Sequence, residues 1–309
     1  MTTVVPTRTP STSKPPSERA RSRRRNLTPY LFLTPNLIVF TVFVFAPLVF
    51  AVWMSFHKWD TISPAEWVGF SNFTELLGDK LFWESLKNTF IFGILTVPTS
   101  LVLGLIAALG LNQKLPGRVF MRTIYFLPFV VSSVVIGTLG SWVFNDTYGI
   151  INATLDQIGL GEVSWLTDPN LAMITLSITT VWARLGFCMI VYLAALQTIP
   201  PEYLEASTVD GSTPWQTFRY ITLPLLMPAT FLLAVLNIIY SFEAFDLVFV
   251  MTGGGPGNST TVLPVYAFDT AFQVRRFGYA NAIGLVLMVI IMIITLIQWR
   301  VTRQDDIVV

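Results

Sequence analysis

Residues 277–299 read FGYANAIGLVLMVIIMIITLIQW, a run without one Asp, Glu, Lys or Arg. A bilayer core about 30 Å thick is crossed by roughly 20 apolar residues in a helix, so this run has the length and composition of a transmembrane span. Working outward, charge-free windows of similar length run from Asn26 to His57, Asn88 to Gln113, Thr123 to Asn145 and Tyr220 to Phe242. A sixth apolar stretch, Leu171 to Ile199, is interrupted only by Arg184. The pattern predicts an all-α polytopic membrane protein with six spans, at about 30–57, 88–112, 123–145, 171–197, 226–250 and 278–300.

Composition agrees. The 309 residues are 53% hydrophobic and 12% charged, about half the roughly 25% charge of a soluble domain. With 24 Phe, 9 Trp and a mean hydropathy of +0.64, neither a soluble domain nor a disordered chain fits. The single cysteine, Cys188, excludes a disulfide framework, and the single histidine, His57, argues against a histidine-based metal site. A net charge of +1 excludes a globally basic nucleic-acid binder.

The cations fall unevenly. Seven precede the first span (Arg8, Lys14, Arg19, Arg21, Arg23, Arg24, Arg25), and Lys114, Arg118, Arg122, Arg219, Arg300 and Arg303 lie on the same side by alternation. The other side holds only Lys58, Lys80, Lys87, Arg275 and Arg276. The positive-inside rule therefore places both termini in the cytoplasm. Residues 1–27, rich in Pro, Ser, Thr and Arg, read as a disordered basic arm that orients the chain. They are not a signal peptide, because the apolar run behind them is too long. Residues 304–309 form a short cytoplasmic tail. In the first exterior loop, Phe73, Leu76, Leu77, Leu81 and Phe82 approximate helical spacing and predict an amphipathic surface helix. Ser133, Gly137 and Ser141 give the third span one small face for close helix approach.

The segment 200–224 departs from the apolar pattern. Pro200 and Pro201 suit a helix start, Gly211 a helix end with positive φ, and Ser212 or Thr213 can cap a second helix opened by Pro214. A helix–turn–helix outside the bilayer, carrying Trp215, Phe218 and Ile221 but only one cation, reads as a protein-docking surface. Within it, Glu205-Ala206-Ser207, then Gly211 after three residues, then Ile221 and Leu223-Pro224 resemble the EAA motif. That motif marks the membrane subunits of ATP-binding-cassette (ABC) importers served by a substrate-binding protein. Ser207 stands where the motif usually has alanine.

The resemblance extends over residues 28–303. Val68-Gly69-Phe70-Ser71-Asn72-Phe73, Phe82-Trp83 with Asn88-Thr89, and Thr252-Gly253-Gly254-Gly255-Pro256 are similar to landmarks of the carbohydrate-uptake permeases. Within these the chain resembles the first of two paired permeases, of maltose or glycerol-3-phosphate type. The resemblance implies a type I ABC importer transmembrane domain in a bacterial or archaeal cytoplasmic membrane. It implies a second permease subunit, two copies of a cytoplasmic ATPase and an extracytoplasmic solute-binding protein as partners. Glu205, Ala206, Ser207, Asp210, Gly211, Ile221, Leu223 and Pro224 would form the ATPase-coupling segment. The sequence holds no G-x-x-x-x-G-K-[ST] phosphate loop. The chain should therefore bind no cofactor itself and catalyse nothing, with ATP and Mg on the partner ATPase.

Polar residues at membrane depth mark a second place. A central arginine costs about 2.5–3.5 kcal/mol on insertion scales, so Arg184 should face a bundle interior or watery cavity. Ser241, Glu243 and Asp246 interrupt the fifth span, with Trp182, Phe187 and Tyr240 close by in sequence. Arg184, Glu243 and Asp246 either pair as a structural lock or, with Trp182, Phe187, Tyr240 and Ser241, line a path for a sugar or sugar-like solute. A disaccharide, oligosaccharide, amino sugar or glycerophosphate would each suit such a path. A self-sufficient secondary transporter or channel is the main alternative, but no inverted repeat supports it. A membrane enzyme is disfavoured by the lone histidine.

Overall fold

The computed structural model describes residues 30–113 and 116–305, with side chains through residue 300. The basic arm at 1–27, Lys114 and residues 306–309 of the tail lie outside the described residues. The chain divides into two compact units, residues 1–53 and 54–309. The described part of the first belongs to helix α1 (Tyr30–Ser55), which contains a π-helical turn at Thr41–Phe45.

The second unit begins with a short antiparallel ribbon, β1 (His57–Lys58) against β2 (Glu66–Trp67), with His57 opposite Trp67. The all-α expectation missed this ribbon. Helix α2 (Ser71–Gly78) follows. Its Asn72 amide donates to the carbonyls of Ser55 at 2.7 Å and His57 at 3.1 Å. That single side chain ties the turn to the end of α1's last described turn and to the ribbon, which gives the Gly69–Phe73 landmark a structural reason.

Asp79 then separates α2 from α3 (Lys80–Asn112). Its extended backbone ends one helix, and its carboxylate accepts from the amides of Leu81 and Phe82 to start the next. Leu81 and Phe82 therefore belong to α3, not to the surface helix predicted from spacing. The second span also starts eight residues earlier than hydropathy placed it. Lys80, Glu84 and Lys87 stay exposed while Phe82, Ser85 and Asn88 face inward, so the helix continues past the charges.

The third expected span is broken. Helix α4 (Arg118–Val130) and helix α5 (Ser133–Val143) meet at 101°. Only Val131 and Ser132 leave the helical region, and both are as apolar or small as their neighbours, so composition does not reveal the corner. Gly137 on the predicted small face does meet a helix, packing near Leu247 and Val250. A short helix α6 (Ile150–Gln157) leads to α7 (Pro169–Thr198), which Asp168 caps and Pro169 opens.

Helices α8 (Pro201–Val209) and α9 (Pro214–Leu225) come next. Helix α9 bends by 62° into α10 (Met227–Phe242). The fifth span does not run unbroken to residue 250. It stops at Phe242 and restarts as α11 (Asp246–Met251), with Glu243-Ala244-Phe245 between. After a loop come α12 (Leu263–Phe268) and α13 (Phe277–Asp305). Among the described residues, four helices are long and apolar enough to cross a membrane, or up to six if each bent pair counts as one span.

The loop between α11 and α12 is a hydrogen-bonded turn. The Asn88 amide donates to the carbonyls of Asn258 and Thr261, and the Leu263 amide donates to Thr89 Oγ1 at 2.9 Å. Asn88-Thr89 and the Gly253–Pro256 run are thus one unit built from distant sequence. At the other edge, Asp79 accepts from Tyr266 Oη and, at 2.6 Å, from Tyr279 Oη. Glu75 and Arg276 form the one salt bridge among the described residues, at 2.6 Å.

The core of this unit is α3 against α7, with α4 on α7, α10 on α3 and α11 on α5. An added Cβ at Gly104 would lie 2.4 Å from Cys188 Cβ, and one at Gly186 would lie 2.0 Å from the Tyr125 carbonyl oxygen. Gly186→Ala is therefore expected to destabilise the detergent-solubilised protein by about 1–3 kcal/mol, seen as a lower thermal midpoint. Gly110→Ala, where nothing lies within 4 Å of the new methyl, should show no such loss.

Burial raises the Asp79 carboxyl, but the hydroxyls of Tyr266 and Tyr279 and the amides of Leu81 and Phe82 outweigh it, holding the group below its ordinary value. Burial and the neighbouring carboxylate push Tyr266 up to about 12. A depressed carboxyl stabilises the fold above its unfolded pKa of about 3.9, and that stability is lost as pH falls through the lower folded value. Thermal midpoints measured down to pH 3 should fall less steeply for Asp79→Asn than for the wild type.

Candidate functional site

Two regions carry the polar chemistry. The first is α8–α9. Pro200 is the N-cap of α8 and Pro201 its first residue. At its other end the Ser212 amide donates to the Ser207 carbonyl at 3.0 Å and the Gly211 amide to the Thr208 carbonyl at 3.1 Å. Gly211 has φ +78°, the left-handed conformation this double closure requires. Thr213 and Gln216 form a reciprocal capping box at the start of α9. The predicted helix–turn–helix is present, with Thr213, not Ser212, as the cap.

Ser207 is the only buried residue of α8. Its hydroxyl donates to the Leu204 carbonyl at 2.8 Å and lies 3.1 Å from Thr217 Oγ1. The serine that replaces the motif's alanine thus links the two helices. Glu205, Ala206, Asp210, Gly211 and Pro224 are exposed, and Ile221 and Leu223 are half-buried. Val209 is 87% and Trp215 66% exposed.

The second region surrounds Arg184 on α7. Its guanidinium carbon lies 4.3 Å from the ring centre of Tyr240, 5.0 Å from Phe187 and 5.3 Å from Phe129. Phe129 and Phe187 are themselves stacked, with centres 4.8 Å apart. Nε of Arg184 donates to Asn237 Oδ1 at 3.2 Å. The Asn237 amide donates to the Leu233 carbonyl at 2.8 Å and to Cys188 Sγ at 3.4 Å. Each cation–aromatic contact contributes about 0.5–2 kcal/mol, more when water is excluded, so the rings offset much of the cost of placing this charge at membrane depth. Arg184 also lines a cavity of about 70 Å³ with Pro128, Phe129, Ser133, Ile136 and Tyr240 among its walls.

The structure brings together only some of the residues expected here. Arg184, Phe187 and Tyr240 meet. Trp182, two residues from Arg184 on the helix, points away and is 47% exposed. Ser241 is buried against α3, its hydroxyl donating to the Ile238 carbonyl and packing at Gly93. Glu243 and Asp246 are exposed at the α10–α11 break, and neither pairs with Arg184, so the ion-pair lock is not formed. The helix break turns both acids outward from this packing. Phe129, at the end of α4, carries no polar or charged neighbour that would single it out in the sequence, and only the tertiary contact brings it to Arg184.

Residues 100–303 match the family model described as binding-protein-dependent transport system inner membrane component. A probable ABC transporter permease protein of Pyrococcus horikoshii is 37% identical over 290 residues, covering 92% of this chain and 99% of that protein. The sulfoquinovosyl glycerol transport system permease protein of Agrobacterium fabrum is 34% identical, covering 89% and 90%. In the crystal structure of a bacterial alginate ABC transporter with an alginate pentasaccharide-bound periplasmic protein, one chain superposes with a TM-score of 0.81 at 28% identity. That match covers 92% of this chain and 97% of the other. Likeness over nearly the full length of such proteins leaves no place for a self-sufficient secondary transporter or channel. The chain belongs to the binding-protein-dependent transport system inner membrane components, the multi-pass permease subunits of ABC importers.

Proposed function

We propose that this permease forms one half of the translocation pathway of an ATP-driven importer for a sugar or sugar-like solute. It works with a second permease, two cytoplasmic ATPase copies and a solute-binding protein on the outer face, and both its termini are cytoplasmic. The sugar class is supported by the sulfoquinovosyl glycerol and alginate named for its relatives. ATP and Mg belong to the ATPase partner.

The observation that carries this reading is the exposed α8–α9 segment. Its fold is fixed internally by the Ser207–Thr217 contact, the Gly211 turn and the Thr213 cap, so its outward side chains are free for a partner. Glu205 and the apolar Val209 of α8 and Trp215 of α9 are all exposed. A docking surface that keeps its own shape transmits a push in both directions: closure of the ATPases moves α8, and α8 continues α7 across only Ile199-Pro200. Arg184, Phe187 and Tyr240 sit on that same framework and make up the solute-facing region, while Glu243 and Asp246 are exposed towards whatever covers the α10–α11 break.

In proteoliposomes holding the complete importer, Glu205→Ala and Gly211→Ala should each reduce solute uptake at least about tenfold while the two permeases still assemble. For Gly211 the cause is conformational: nothing crowds a new methyl there, but a positive φ costs a non-glycine residue about 1 kcal/mol or more. Wild-type uptake and solute-stimulated ATP hydrolysis in both variants would remove α8 from the coupling role.

A further inference from the structure

We propose that the solute carries an anionic group, a carboxylate or another oxyanion on a sugar-like body, and that the terminal nitrogens of Arg184 receive it. This rests on the importer reading above and adds the charge of the solute to it.

Arg184 is the one charged side chain of α7. Its surroundings account for every part of the guanidinium except one edge. Nε is taken by Asn237 Oδ1. Tyr240, Phe187 and Phe129 supply ring faces around the group at 4.3, 5.0 and 5.3 Å. Neither terminal nitrogen has a hydrogen-bond or ion-pair partner among the described residues. The two acids that the sequence offered as counter-ions, Glu243 and Asp246, are instead exposed at the helix break.

An arginine held this way is a preformed receptor. Aromatic rings fix the guanidinium without using its N–H fork, and that fork matches the two oxygens of a carboxylate, phosphate or sulfonate. The adjoining cavity, about 70 Å³, is a little over two water molecules' share of liquid volume at about 30 Å³ each. That space has room for a group the size of an oxyanion. A neutral hydroxyl in the same place would leave the charge without a counter-ion. Asn237 and the rings are the positioning groups, and Arg184 is the group that touches the solute.

The test uses the complete importer in proteoliposomes with its own binding protein in every arm. Uptake of a uronate-containing oligosaccharide is compared with that of a neutral oligosaccharide of equal length. The wild type should favour the acidic solute by at least about tenfold, the scale of a charged hydrogen bond. Arg184→Gln should erase that preference, bringing uptake of the acidic solute down to that of the neutral one. Arg184→Lys, which keeps the charge without the fork, should retain part of the preference and serves if the glutamine variant fails to assemble.

Equal uptake of both solutes by the wild type overturns the charge assignment and leaves the importer reading intact. So does an Arg184→Gln or Arg184→Lys complex that assembles and keeps the full wild-type preference. A wild-type complex that imports neither solute removes the importer reading and this assignment with it.

Discussion

Helices in a bilayer gain nothing by hiding apolar side chains from an equally apolar solvent, so close backbone approach has to hold them together. In this permease that approach is concentrated on α7. Gly104 of α3 admits Cys188 on one side, and Gly186 admits the α4 backbone at Tyr125–Phe126 on another. Helix α7 becomes the enclosed post of the second unit, with 61% of its most apolar window buried against 17% for α13. Everything attached to it inherits a fixed position, including the only charge it carries.

The geometry of α7 also joins the two functional regions. From Arg184 to Thr198 the helix is unbroken, a distance of about 21 Å at about 1.5 Å per residue. After only Ile199 and Pro200, α8 begins. A rigid rod with a cation partway along it and a short exposed helix at its end needs no chain of side-chain relays between the two. Displacement of the end is displacement of the cation.

Much of this architecture was legible in the sequence, and the exceptions share a cause. Hydropathy located α1, α7 and α13 well, because long apolar runs bounded by charge have few other solutions. Local turn chemistry placed α8 and α9 almost to the residue: Pro201, Gly211 and Thr213 each act through backbone geometry that depends on near neighbours. Hydropathy could not see the corner at Val131-Ser132, where two residues change φ and ψ without a change in polarity; at the α10–α11 break Glu243 and Asp246 mark the polarity but not the end of the helix. The Arg184 surroundings were half legible. The cation announced itself, and Phe187 and Tyr240 were close in sequence or pattern, but Phe129 arrives through a tertiary contact. The acids misled because proximity in sequence across a helix break says little about proximity in space.

The pairing of Asn88 and Thr89 with the loop between α11 and α12 has a mechanical meaning. That loop is fastened through three hydrogen bonds to one turn of α3, so it has no swing of its own. Tilting α3 would steer the loop as a rudder post steers its blade, at constant offset and without lag. The α11–α12 loop therefore reports the attitude of α3 directly, through rigid linkage and not through a flexible tether.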